Sequence, residues 1–98
     1  MLVKIIKSRR DIVVICDSNL INKQFNEGKF QLNITEKFFK GEEKTKQETA
    51  EIMKIMAKED ASFNIVGKES IKTALESGII NKEGIKTIQG VPFALVLL

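Results

Sequence analysis

Hydrophobic and polar positions along the chain form patterns typical of alternating strands and helices. Two β-branched runs, at residues 2–7 and 12–16, flank the polar segment at residues 8–11, and this arrangement predicts a β-hairpin. The second run is apolar throughout, which predicts a central strand covered on both faces. Apolar and polar residues then alternate from Phe30 to Ile34, so a third strand is predicted with one buried face.

Helical spacing appears in the second half of the chain. Thr45 and Glu48 fit a capping box, which predicts a helix near residues 46–58. A short strand at residues 61–66 leads to Gly67, after which a second amphipathic helix is predicted to end at Gly78. Strand-forming residues return at 85–89 and 91–97. The pattern predicts an α+β fold, a two-layer sandwich of a mostly antiparallel sheet with two helices on one face.

Length and composition narrow the class of protein. A chain of 98 residues predicts a single domain, 1–98, with one hydrophobic core. No apolar run approaches the length of a membrane-spanning helix, and the first residues lack the pattern of a signal peptide, so a cytoplasmic protein is expected. The single cysteine excludes an internal disulfide and a zinc site built from several cysteines.

The chain contains no histidine, which excludes the usual Ser-His and Cys-His nucleophilic machinery. Cys16 is followed by Asp17, and a neighbouring carboxylate raises a thiol pKa and favours the less reactive form. We therefore expect Cys16 to be a small buried hydrophobe and Asp17 to be a cap or turn acceptor instead of a catalytic acid. Three acidic residues, Asp17, Glu27 and Glu69, could converge from loop positions on a hard cation, but they lack the fixed ligand spacing of a metal site. No catalytic residue, metal or cofactor is predicted.

Positive charge is concentrated in the first third of the chain. The net charge is +3, and residues 1–34 hold six basic and three acidic groups, whereas residues 35–98 hold ten of each. Clustered positive charge favours phosphate-rich partners through counterion release. A lysine-rich surface that only maintains solubility is the alternative. The candidate nucleic-acid contacts are Lys4, Lys7, Arg9, Arg10, Lys23 and Lys29.

Glycines and the only proline mark a second candidate site. Gly67 lies at a predicted strand-to-helix junction, where free backbone N–H groups could hold an anion, although the spacing fits neither a P-loop nor a dinucleotide-binding glycine set. A glycine that serves only close packing or an N-cap is the alternative. Gly90 and Pro92 form a rigid approach to the last strand. The residues of this possible pocket are Cys16, Asp17, Gly67, Lys68, Gly90, Pro92 and Phe93.

The order and spacing of many positions resemble the DUF424 family, a group of short, mainly archaeal, cytoplasmic proteins without an assigned activity. The resemblance extends over nearly the whole chain and is carried by Cys16-Asp17, Leu20, Lys23, Phe25, Glu27-Gly28, Phe38-Phe39, Gly41, Asn64, Val66-Gly67-Lys68-Glu69, Ala74, Gly78 and Gly90-Val91-Pro92. The family's final motif is similar to Gly-Val-Pro-His-Ala-Gln, but Phe93 and Leu95 occupy its polar places here. A histidine-dependent site would be lost, whereas a site shaped by Gly90 and Pro92 would survive. The resemblance also implies an association with translation or RNA.

Three functions follow from these observations. The leading hypothesis is a non-catalytic RNA-binding or ribosome-associated protein, in which the basic residues contact phosphates and Phe93 or Gly90 marks a shape-reading surface. The second is a small-molecule or anion-binding enzyme with its pocket near Cys16, Gly67 and Pro92. The third is a structural subunit of a protein complex with an exposed apolar patch. The oligomeric state stays open.

Overall fold

The fold is a six-stranded sheet with two long helices on one face and a two-stranded ribbon with a one-turn helix on the other, in a computed structural model that describes residues 1–97. The helices are α1 (Glu36–Phe39), α2 (Lys46–Lys58) and α3 (Lys68–Ser77), and 3-10 turns lie at Ser18–Leu20 and Lys82–Gly84. The strands are β1 (Leu2–Ile6), β2 (Ile12–Cys16), β3 (Gln24–Glu27), β4 (Phe30–Asn33), β5 (Glu42–Glu43), β6 (Ser62–Val66), β7 (Lys86–Ile88) and β8 (Val91–Val96).

The large sheet has the strand order β5-β1-β2-β6-β8-β7, and β3 pairs with β4 in the separate ribbon. Only the central pair, β2 with β6, is parallel among the described strands; the neighbouring pairs are antiparallel. The α+β class and the mostly antiparallel sheet are thus confirmed. Strand β2 is also central as predicted, because residues 13–16 have no exposed surface.

Helices α2 and α3 cover one face of the sheet. Helix α2 begins with the predicted capping box: Glu48 N donates to Thr45 Oγ1 at 3.1 Å, and Thr45 N donates to the Glu48 carboxylate at 2.9 Å. Met53 and Met56 turn inward and pack with Phe63 and Ile65 of β6. Gly78 ends α3 in the left-handed conformation, as its sequence position predicted. Among the described residues, no helix is long and apolar enough to cross a bilayer.

The second face of the sheet is covered by residues 18–40, which we call the ribbon layer. It contains the first 3-10 turn, the β3–β4 ribbon and α1. Leu20, Ile34 and Phe39 are buried there against Val14 and Cys16 of the sheet. The sequence analysis predicted two helices on one face and did not anticipate this additional cover.

Strand β3 and helix α1 escaped the sequence analysis for identifiable reasons. The segment Gln24–Glu27 has one apolar residue, Phe25, so it lacks a period-2 pattern; it is a strand because β4 pairs with it. Helix α1 is a single turn, capped by Thr35, whose Oγ1 accepts from Phe38 N at 3.3 Å. A helix this short has no detectable periodicity.

Candidate nucleic-acid interface and the Asp17 cavity

The turn between β1 and β2 presents basic side chains at one end of the sheet. Lys7, Arg9 and Arg10 are all exposed. Lys7 Nζ lies 3.1 Å from the Asp11 carboxylate, and Ser8 Oγ donates to the Arg10 carbonyl oxygen at 2.6 Å. The hydrogen bond with Lys7 is the main reason that the pKa of Asp11 is lowered. Within residues 1–97 neither Arg9 nor Arg10 forms an ion pair, so both guanidinium groups are free for a partner.

The other three predicted phosphate contacts lie on the ribbon side of the sheet. Lys4 reaches from β1 to α1, where its Nζ donates to the Lys37 carbonyl oxygen at 2.6 Å. Lys23 precedes β3, and Lys29 follows Gly28 in the turn at the ribbon tip. Both lysines are exposed. The six residues therefore occupy two regions, the β1–β2 turn and the ribbon side, rather than one continuous patch.

Asp17 follows β2 directly and caps the start of α3. Its Oδ1 accepts from Ser70 N and Ser70 Oγ, each at 2.8 Å, and its Oδ2 accepts from Glu69 N at 3.1 Å. A carboxylate is stabilised at this position by the free N–H groups and the positive end of the helix dipole. The helix N-terminus considered in the sequence analysis as an anion site is thus filled by the protein's own carboxylate.

Gly67 allows this close approach. Its φ is +110°, and a Cβ atom added there would lie 2.3 Å from Asp17 Cγ. Gly67 N also donates to the Pro92 carbonyl oxygen at 2.9 Å, which links the start of α3 to β8. The glycine at the predicted junction therefore serves close packing between β2, α3 and β8.

Four residues of the predicted pocket do meet around one cavity of about 190 Å³. The cavity lies where β2 and β6 end and β8 begins, and its lining is Asp17, Asn19, Leu20, Gly67, Lys68, Val91 and Pro92. Cys16, Gly90 and Phe93 do not line it. Since the Asp17 carboxylate already accepts three hydrogen bonds, the polar groups most available to a ligand are those of Asn19 and Lys68.

Cys16 is closed off from solvent beneath the ribbon layer. Its side chain is fully buried, and the Sγ lies 3.9 Å from the Phe39 carbonyl oxygen. Burial raises the pKa of the Cys16 thiol to about 11, and the neighbouring charge of Asp17 acts in the same direction. The thiol is therefore protonated and inaccessible at neutral pH, which suits a core residue and not a nucleophile.

A second cavity involves residues that the sequence analysis did not bring together. Gln89 and Gly90, with φ of +49° and +78°, form the two-residue turn between β7 and β8. Gln89 N donates to Glu27 Oε1 at 2.9 Å, and this bond ties the turn to the ribbon. Between the ribbon and this hairpin lies a cavity of about 150 Å³, lined by Glu27, Phe30, Lys86, Thr87, Ile88 and Phe93.

Phe93 and Leu95, the two positions of the last motif at which the sequence analysis expected a departure from the family pattern, share a face of β8 but differ in burial. Phe93 packs on the ribbon side and lines the second cavity, whereas Leu95 is exposed. Phe30 and Lys86 also line this cavity. In the sequence, nothing marked them as site residues except that Phe30 is an aromatic residue next to a turn. Their proximity depends on how the ribbon docks against β7.

The three carboxylates considered for a metal site do not assemble. Glu69 lies beside Asp17, which caps α3, but Glu27 binds the β7–β8 turn instead of joining them. In the part of the chain that the structure describes, no group of three metal-ligating side chains could hold an ion.

Comparison with known proteins supports the fold and the family. The chain is similar to an uncharacterized conserved protein from Methanopyrus kandleri, with a TM-score of 0.87 and 19% identity over 97% of this chain and 88% of the other. At this identity the likeness shows the fold alone. No curated protein matches the chain. Residues 6–98 match the family described as "Protein of unknown function (DUF424)", and the chain belongs to that family.

Proposed function

We propose that the protein is a non-catalytic, cytoplasmic RNA-binding protein that associates with ribosomal particles. The observation that carries the proposal is the uneven charge around the sheet. Lys4, the β1–β2 turn (residues 7–11) and the ribbon layer (residues 18–40) together hold eight basic residues and three acidic ones: Lys4, Lys7, Arg9, Arg10, Lys23, Lys29, Lys37 and Lys40 against Asp11, Glu27 and Glu36.

The helical face differs from this surface in its charge balance. Helices α2 and α3 hold five lysines and four glutamates. One pair bridges the two helices, with Lys46 Nζ 2.8 Å from the Glu76 carboxylate. A polyanion is therefore attracted to the turn and the ribbon side and gains little from the helical face.

The two candidate reactive side chains of the predicted pocket are poorly suited to catalysis. Cys16 is buried with a raised thiol pKa, and the Asp17 carboxylate is engaged in capping α3. A nucleophile needs an accessible, activated atom, and a general base needs a free lone pair aimed at substrate. Both residues instead stabilise the fold, which supports a binding role.

Charge reversal at the exposed turn tests the proposal. The variant Arg9→Glu/Arg10→Glu is compared with Lys54→Glu/Lys58→Glu, which makes the same change in net charge at exposed positions on α2. Filter binding of single-stranded RNA is measured over a range of salt concentrations. Loss of two phosphate contacts is expected to reduce the slope of log K against log salt by about 1.4 for the turn variant only. Equal slopes for the two variants would remove the turn from the interface.

A gradient experiment addresses the ribosomal partner. Native extract is fractionated on sucrose at low and high salt, and the protein is located in the fractions. We expect the protein to comigrate with ribosomal particles at low salt and to lose this association at high salt. The Arg9→Glu/Arg10→Glu variant is expected to comigrate more weakly. Wild-type protein that stays at the top of both gradients would contradict the ribosomal association.

The convergence of Asp17, Gly67, Lys68 and Pro92 favours small-molecule binding as a second candidate function. A ligand there would be held by Lys68 and Asn19, because three hydrogen bonds already use most of the acceptor capacity of the Asp17 carboxylate. Thermal shift against small anions, with Lys68→Ala as the comparison, measures this. A stabilisation that is the same in Lys68→Ala would rule the cavity out as its source.

A further inference from the structure

The cavity between the ribbon and the β7–β8 hairpin is built from two cross-strand pairs. Glu27 faces Phe30 in the ribbon, and Lys86 faces Phe93 across β7 and β8. Partners directly opposite in antiparallel strands project to the same side of their sheet. Each pair therefore supplies one phenylalanine ring and one charged group to the same cavity.

Phe30 is the unusual member of this set. Its side chain is 76% exposed, although it lies on the same ribbon face as the half-buried Phe25 and Leu32. The ring overhangs the cavity at the ribbon tip instead of entering the core. An exposed aromatic beside exposed lysines is typical of platforms on which nucleic-acid bases stack.

The surrounding charges suit a nucleotide better than an apolar partner. Lys29 precedes Phe30 at the ribbon tip, and Lys86 lines the cavity; both are exposed. Glu27 is the one acidic residue of the cavity lining, and its Oε1 accepts from Gln89 N. Within residues 1–97, Oε2 has no hydrogen-bond partner, so one acceptor remains beside the ring.

We propose that this cavity holds one base of single-stranded RNA, stacked on Phe30, with Lys29 and Lys86 contacting the flanking phosphates. The inference rests on the proposed function and adds a base-contacting site to it. The free oxygen of Glu27 accepts from an exocyclic amino group, which is the pairing that carboxylates make with cytosine N4. The site accordingly prefers cytosine to uracil.

The absence of tryptophan and tyrosine from the chain allows a direct test. Phe30→Trp places a single fluorophore at the cavity, and Ile55→Trp places one at a 60% exposed position on α2, across the sheet. Oligocytidine is expected to quench the fluorescence of Phe30→Trp and to leave that of Ile55→Trp unchanged, because only the first ring stacks with a base.

Affinity measurements separate base contacts from phosphate contacts. Phe30→Ala and its control Ile55→Ala are titrated with oligocytidine, oligouridine and inorganic polyphosphate, after circular dichroism has shown that each variant is folded. Loss of one stacked base predicts roughly tenfold weaker oligocytidine binding by Phe30→Ala, with polyphosphate binding unchanged. Glu27→Gln is expected to reduce the preference for oligocytidine over oligouridine.

The outcomes distinguish this site from the proposed function. In one outcome, wild-type protein binds RNA, Arg9→Glu/Arg10→Glu binds it more weakly, and Phe30→Ala binds it as well as Ile55→Ala does. This outcome would show that the base site is wrong while the RNA-binding proposal stands. If wild-type protein binds none of the RNAs, both fail. If sedimentation shows a wild-type dimer that Phe30→Ala converts to a monomer, the exposed ring is a self-association contact and the base site is overturned.

Discussion

Replacing Asp17 with alanine is expected to destabilise the protein strongly, because this side chain connects the end of β2 to the start of α3. It accepts hydrogen bonds from Ser70 N and Oγ at 2.8 Å and from Glu69 N at 3.1 Å. Loss of a helix N-cap costs about 1 kcal/mol. Ser70 is fully buried, and leaving its polar groups without a partner adds roughly 2 kcal/mol. The expected loss in the free energy of unfolding is about 3 kcal/mol.

Urea unfolding followed by far-ultraviolet circular dichroism measures this loss, since the chain has no tryptophan or tyrosine to serve as a fluorescent probe. The midpoint is expected to fall while the dependence on urea stays constant, because the surface exposed on unfolding is unchanged. In a thermal scan, a loss of this size corresponds to a decrease in Tm of roughly 15 °C for a domain of this length.

Three further variants define the physical cause. Asp17→Asn keeps a hydrogen-bond acceptor but removes the negative charge, and we expect it to lower the free energy of unfolding by about 1 kcal/mol. Asn19→Ala, at an exposed position in the same loop, is expected to change stability by less than about 0.5 kcal/mol. Ser70→Ala should cost less in the Asp17→Ala background than in the wild type, with a coupling energy of about 1 kcal/mol. An Asp17→Ala variant as stable as Asn19→Ala would refute the capping role.

Two other predictions concern buried positions. Gly67→Ala is expected to lower the free energy of unfolding in the urea assay by about 3 kcal/mol, because φ is +110° and the new Cβ would meet the Asp17 carboxyl. The control Gly28→Ala, with φ of +60° and open space around it, is expected to lower it by about 1 kcal/mol. Cys16 should react with a thiol reagent only on unfolding. The pKa of the Cys16 thiol is raised from 9.0 to about 11 in the folded protein, so burial of the neutral thiol contributes fully to stability below pH 9. As the pH rises from 9 toward 11, the free energy of unfolding is expected to fall by at most about 1.4 kcal/mol per pH unit. A Cys16→Ala variant with the same decrease above pH 9 would contradict this cause.

Local sequence signals were sufficient where neighbouring residues create the structure. The capping box at Thr45 and Glu48 and the left-handed Gly78 involve contacts within a few residues, so the start of α2 and the end of α3 were predictable. The all-apolar run at residues 12–16 likewise identified a strand buried on both faces, because no exposed face would tolerate it.

The docking of the ribbon depended on contacts distant in sequence. Its strand β3 carries a single apolar residue, and the ribbon's tie to β7–β8 joins Glu27 to Gln89, which are 62 positions apart. The same docking brings Phe30 beside Phe93 and Lys86. No periodicity or motif in the sequence predicts contacts between residues so far apart in the chain. The second cavity could therefore be identified only in the folded structure.

The sequence by itself determined the α+β class, the central buried strand, the two main helices and the location of excess positive charge in the first third of the chain. The tertiary structure decided what the candidate residues do. It placed the Asp17 carboxylate at the start of α3, put the Phe39 carbonyl against the buried Cys16 and divided the six basic residues between the β1–β2 turn and the ribbon side. The physical reason is that composition and periodicity report local preference and burial, whereas function depends on which side chains from distant segments share a surface.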